Sequence, residues 1–159
     1  MKPSTLLGAL ILLAHLPAVA QDNLGSTRGQ SLQGTWIAQL AAPNGDLTLF
    51  EVGTFYPDGS YTGANVNPSH SAHVGVWLRT GDRKFAFTVM FFTRDEKGVF
   101  NGIVKARGVL TLSEDLKTYS SAIERVVMDT AGRELQVIGG ITGTAVRMNV
   151  ESRRFAAPE

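Results

Sequence analysis

The sequence predicts an all-β protein, an antiparallel eight-stranded meander that closes into a barrel, and three observations predict it. Beyond Gln33, no stretch of helical length carries apolar residues at the i, i+3, i+4, i+7 spacing that one face of a helix requires. Apolar and polar residues alternate instead, which is the period of a strand with one dry face and one wet face. The alternating runs are separated by short segments containing Gly, Asp, Asn or Pro, the residues that tight turns favour. Such connections leave no room for crossovers, so sequence neighbours pair antiparallel, and closure removes two exposed edges.

The first run is GTWIAQLA (34–41), followed by the turn APNGD. LTLFEVGTFY (47–56) comes next and meets PDG, which leads into SYTGANV (60–66). After NPS, the runs SAHVGVWLRT (71–80) and KFAFTVMFF (84–92) flank GDR. TRDEKG then leads to VFNGIVKARGVLTL (99–112), SEDLK to TYSSAIERVVM (118–128), and DTAGR to ELQVIGGITGTAVRMNV (134–150). Glycines inside these runs, at 53, 75, 102, 108, 139, 140 and 143, fit the sharp bends that closing a small barrel needs. A barrel of this size has an interior just wide enough for its own side chains or for one small ligand.

Residues 1–20 read as an export signal. Lys2 supplies the positive start, Leu6 to Leu16 form the apolar run, and Ala18-Val19-Ala20 matches the small-x-small pattern of signal peptidase, with cleavage expected after Ala20. The expected destination is secreted or periplasmic. The apolar run is shorter than the roughly 20 residues that cross a bilayer, so no membrane span is expected once the signal is removed. The remaining organisation is a flexible leader at 21–33, a β-barrel domain at 34–152 and a tail at 153–159. There is no cysteine, which excludes a lipid-attached signal and any disulfide, so stability must come from the core. After signal removal the chain carries 14 acidic and 14 basic residues. That balance gives no electrostatic case for nucleic acid or an anionic membrane surface.

QGTWIAQL places Gly34-x-Trp36 at the start of the first strand, and TAVRMNV places Arg147 in the last. This resembles the calycin pattern of lipocalins, fatty-acid-binding proteins and avidins. The resemblance implies a calycin-like barrel whose tryptophan closes the floor, with a late arginine packed across it. TFYPDGSYTG, GVWLRTGDRKFAFT and GVLTLSEDLKTY also resemble a family of small secreted bacterial barrels of unestablished function.

The hairpin around Gly81-Asp82 can be worked as geometry. A two-residue turn there sets Leu78 against Phe85, Val76 against Phe87, Val74 against Val89 and Ala72 against Phe91. All eight are apolar and share one face, so they are expected inside, with His73 and Trp77 on the outer wall or rim. The opposite orientation would leave a broad apolar face outside and build a homo-oligomer on it. Val104, Ala106, Gly108, Leu110 and Leu112 likewise form an inner face, with Lys105 and Arg107 outward. Glu51 shares parity with Leu49 and Phe55 and is a candidate interior carboxylate. In TYSSAIERVVM either Glu124 or Arg125 enters the barrel, since each shares a face with apolar neighbours.

Most catalytic chemistries are not supported. His70 and His73 are three apart, which on a strand points them to opposite faces, and no cysteine or further histidine follows the signal, so no metal site is expected. No G-x-S-x-G elbow presents a serine, and VIGGITGTA lacks the lysine and helix of a phosphate loop. No cofactor is implied. What remains is an interior of rings and branched chains suited to a small hydrophobic ligand. Trp36, Phe55, Val74, Val76, Phe85, Phe87, Phe91 and Leu110 are the candidate lining, unless these side chains simply fill the barrel. The rival reading is a cofactor-free isomerase or cyclase, resembling the allene-oxide-cyclase and dirigent types, with Glu51, Tyr119 and Glu124 as proton-handling candidates.

Overall fold

The computed structural model describes residues 31–44 and 48–150. The expected signal peptide at 1–20, residues 21–30 of the leader and the tail at 153–159 lie outside the described residues. Eight strands follow in order: β1 (Gly34–Ala41), β2 (Thr48–Phe55), β3 (Ser60–Asn65), β4 (His73–Gly81), β5 (Lys84–Arg94), β6 (Phe100–Leu112), β7 (Thr118–Met128) and β8 (Glu134–Arg147). Each pairs antiparallel with the next, and β8 pairs with β1, so the sheet is a closed barrel. Four of the hairpin turns share one device. The carboxylates of Asp58, Asp95, Asp115 and Asp129 each accept the backbone N–H two residues on, which holds the bend.

One end of the barrel is solid. Trp36 is fully buried there, and its indole N–H donates to the Leu32 carbonyl at 2.9 Å. The Arg147 guanidinium lies 4.2 Å over the Trp36 ring. It also donates to the carbonyls of Ser31 (3.0 Å), Gln33 (2.5 Å) and Leu116 (3.1 Å). Leu32, placed in the leader by sequence, is fully buried as part of this plug, so packing starts ahead of β1. Phe55, Phe85, Leu110, Leu112 and Tyr119 complete the layer beneath it.

The β4–β5 hairpin differs from its expected register. Gly81 pairs with Lys84, the turn is Asp82-Arg83 with Arg83 at φ 54°, and the ladder shifts between Arg79 and Gly81. Trp77 therefore faces Phe87 and Gly75 faces Val89. Because side chains alternate, this one-residue slip turns β4 inside out while leaving β5 as expected. Phe85, Phe87, Val89 and Phe91 do point inward, but Val74, Val76 and Leu78 lie on the outer wall at 59%, 63% and 59% exposure. Within the barrel, β4 instead presents His73, Gly75 and Trp77.

The physical reason lies in what those inner positions do. A Cβ on Gly75 would collide with the Thr88 carbonyl and Val89, so only glycine fits the tight inner wall at that point. Trp77 packs edge-on against Phe55 and Phe85, and its N–H donates to the carbonyls of Tyr56 and Ser60 at 3.1 Å each. His73 finds an interior carboxylate, described below. Specific partners therefore outweigh the greasier but unpartnered alternative face.

Replacing Arg147 by Met keeps the length of the side chain but removes the donors that tie the end of β8 to the segment before β1. Urea denaturation should show a loss of about 1.5–3 kcal/mol, the range for hydrogen bonds from a charged group. An unchanged midpoint would mean that the plug does not depend on this arginine.

Candidate functional site

Beyond the plug, toward the His73 end, the interior is hollow. A cavity of about 50 Å³ is bounded by apolar side chains, among them Ala38, Leu40, Phe87, Val89, Ala106 and Ile123. The same wall holds Glu51, Tyr61, His73, Tyr119, Ser121 and Arg125. A second void of about 100 Å³ adjoins it and shares Leu40 and Arg125 as boundary.

The polar part is built by register. Glu51 on β2 faces Asn65 on β3, and Gly63 on β3 faces His73 on β4, which brings these inward positions to one corner. Tyr61 reaches that corner along its own strand. Its phenol lies over Gly53 and Gly63, which pair with each other, and a Cβ on either glycine would collide with the ring. The phenol O–H donates to Glu51 Oε1 at 2.5 Å. His73 Nδ1 lies 3.2 Å from the same oxygen. A carboxylate only accepts, so Nδ1 carries the proton. Asn65 Nδ2 then donates to His73 Nε2 at 3.3 Å and to His70 Nδ1 at 2.9 Å. Phe91 stacks on the His73 ring with centroids 4.2 Å apart.

Electrostatics follow from this packing. Burial pushes the Glu51 carboxyl up, but its contact with His73, the Tyr61 hydroxyl and the nearby Arg125 outweigh it and hold it below its ordinary 4.5. Glu51 is therefore ionised at neutral pH. Burial, reinforced by the Glu51 charge, raises both Tyr61 and Tyr119, which keep their protons. Burial and then the neighbouring His73 lower His70 below its ordinary 6.5. Burial also lowers Arg125, against the opposing pull of Glu51. Ser121 Oγ is buried without a hydrogen-bond partner among the described residues.

Of the residues singled out from sequence, Phe55, Phe87, Phe91 and Leu110 line the cavity, as do Glu51 and Tyr119. Trp36 and Phe85 are buried in the plug end rather than in the cavity wall. Val74 and Val76 are corrected to the outer wall by the β4 register. Glu124 also lies outside, where Arg107 of β6 donates to it at 2.6 and 2.8 Å. Arg125 is the charge of β7 that enters.

Sequence reasoning missed Tyr61 and Ser121 and misplaced His73. The signal for Tyr61 was present in Glu51-x-Gly53 and Tyr61-x-Gly63, two glycines that clear a path for one long side chain. Among the described residues no group of three His, Cys, Asp or Glu is placed to hold a metal ion. The molecule thus defines a class, a closed eight-stranded antiparallel barrel compatible with a calycin-like fold, holding a cavity of mixed lining. No protein-family model matches the chain, and no curated protein matches it.

Two outcomes test this corner. In Gly53→Ala the new methyl displaces the Tyr61 ring, at a cost of about 1–3 kcal/mol for overpacking. Loss of the phenol hydrogen bond should also raise the Glu51 titration midpoint in carbon-13 NMR, and an unmoved midpoint would refute the arrangement. Glu51→Gln tests the linkage. A carboxyl lowered on folding stabilises above its unfolded value and loses that contribution as pH falls through its folded value. The advantage of the native chain over Glu51→Gln should be full above the ordinary value of 4.5 and shrink steadily as pH falls below it in urea titrations.

Proposed function

We propose that this protein is an exported binding protein that holds one small, mainly apolar molecule inside its barrel, toward the His73 end. The observation that supports this reading is the division of the interior into a solid half around Trp36 and a hollow half with a mostly apolar wall. Pocket sites for small molecules combine such a wall with a few fixed polar groups. Glu51, Tyr119 and Ser121 supply those groups here. Size restricts the occupant. An apolar cavity of roughly 150 Å³ takes benzene. A cavity of about 50 Å³ therefore suits a branched or short hydrocarbon body of only a few carbons, unless it extends into the adjoining void. Export through residues 1–20, with cleavage after Ala20, belongs to the same proposal.

A second reading, a cofactor-free isomerase or cyclase, is favoured by the ionised Glu51 carboxylate in the cavity wall. In that state the group accepts a proton and cannot donate one, so its role would be that of a base. Tyr61 and His73 would then position it, because both already spend a hydrogen bond on Oε1.

Filling the cavity separates binding in the barrel from binding elsewhere. Xenon and isobutanol, followed by amide NMR, should give saturable shifts around Phe87, Ala106 and Ile123. In Ala106→Leu, whose added atoms occupy the space, those shifts should vanish while the chain stays folded. Equal responses from both proteins, or none from the native one, would overturn the reading.

A further inference from the structure

We infer that the molecule held in the barrel is a small carboxylic acid, whose carboxylate pairs with Arg125 while its hydrocarbon body occupies the inner cavity. This rests on the binding reading above and adds the chemical class of the ligand. The starting observation is where Arg125 stands. It lines both the inner cavity and the adjoining void, together with Leu40, so its side chain lies on the boundary between the two spaces. A bulge places it there. Ile123 of β7 pairs with Ile141 of β8, but Arg125 pairs with Ile138, so Gly139 and Gly140 together oppose the single residue Glu124. Gly140 takes the extra bend at φ 73°, a conformation open to glycine.

The second observation is what Arg125 lacks. A guanidinium carries five N–H donors in a fixed fork. Arg147 gives its donors to three carbonyls, and Arg107 gives two to Glu124. Among the described residues, the Arg125 guanidinium has no hydrogen bond or ion pair. Glu51 acts on it only through its field, and the Oε1 oxygen of Glu51 serves Tyr61 and His73 instead. The Arg125 nitrogens are not sealed from water, so the fork is open to an incoming acceptor, and a bidentate carboxylate matches it in the plane of the guanidinium. A neutral carbonyl group offers a single acceptor atom to the same fork. A dianion such as phosphate is disfavoured, since the fixed charge of Glu51 lies in the same lining.

The two spaces then have distinct tasks. The inner cavity, apolar on most sides, accepts the hydrocarbon, and the boundary at Arg125 fixes the charged end.

The test compares three probes by NMR titration of the purified chain: isobutyrate, its isosteric amide isobutyramide, and xenon. The native chain should bind isobutyrate at least about tenfold more tightly than isobutyramide, the scale of one charge-assisted pair. In Arg125→Gln this discrimination should disappear while xenon still binds, which also shows that the variant is folded. Arg125→Lys keeps a charge without the fork and should fall between the two. Equal binding of acid and amide by the native chain, or discrimination retained in Arg125→Gln, overturns the assignment of a carboxylate to Arg125 and leaves apolar binding standing. Failure of all three probes, xenon included, instead overturns the binding reading on which the inference rests.

Discussion

The hydrogen-bonded ladder between β1 and β8 is the constraint on which the rest of this structure depends. Once the first and last strands pair, the sheet has a single interior, and strand parity sorts the side chains into those that meet one another and those that meet water. Trp36 faces Arg147 across that ladder, and their stacking, with the three carbonyls held by the guanidinium, ties the seam to the segment that plugs the barrel. A solid floor at the seam is what leaves the hollow to the other half. Had the floor been packed less fully, the interior would be a channel rather than a cup.

The polar corner depends on the same sorting. Glu51, Tyr61 and His73 come from three consecutive strands and meet only because the β2–β3 and β3–β4 registers put all three inside. A buried carboxylate is costly unless donors surround it, and here two donors share one oxygen with a guanidinium in range. The charge is kept in the barrel by geometry that its neighbours in sequence do not provide.

Much of this was legible in the residues. The eight strands, their antiparallel order, closure, the inner faces of β5 and β6, and the inward turn of Glu51 all follow from alternation and turn chemistry. The stacking of Arg147 on Trp36 agrees with what the calycin resemblance implied. The orientation of β4 did not follow. A Gly-Asp pair suggests a two-residue turn at that point, and the apolar count favoured Val74, Val76 and Leu78 as inner residues. The actual turn sits one residue later, which alone would move the pairing by two and keep the faces, but the bulge at Thr80 takes one residue back and so exchanges them. A period of two makes such an error total for the strand it touches, so His73 and Trp77 exchanged places with three aliphatic residues. Arg125 and Glu124 were equally ambiguous, because parity in β7 is settled only by the long ladder to β6.

The paired glycines beneath Tyr61 carry a consequence for how this chain can change over time. The chemistry of the corner belongs to Glu51, Tyr61 and His73, yet the permission for it belongs to Gly53 and Gly63, which contribute no functional group at all. Any descendant that gains even a methyl at either place must surrender the phenol from that position, whatever it preserves elsewhere. Kinship in this protein is therefore recorded as much in two missing side chains as in the three that touch.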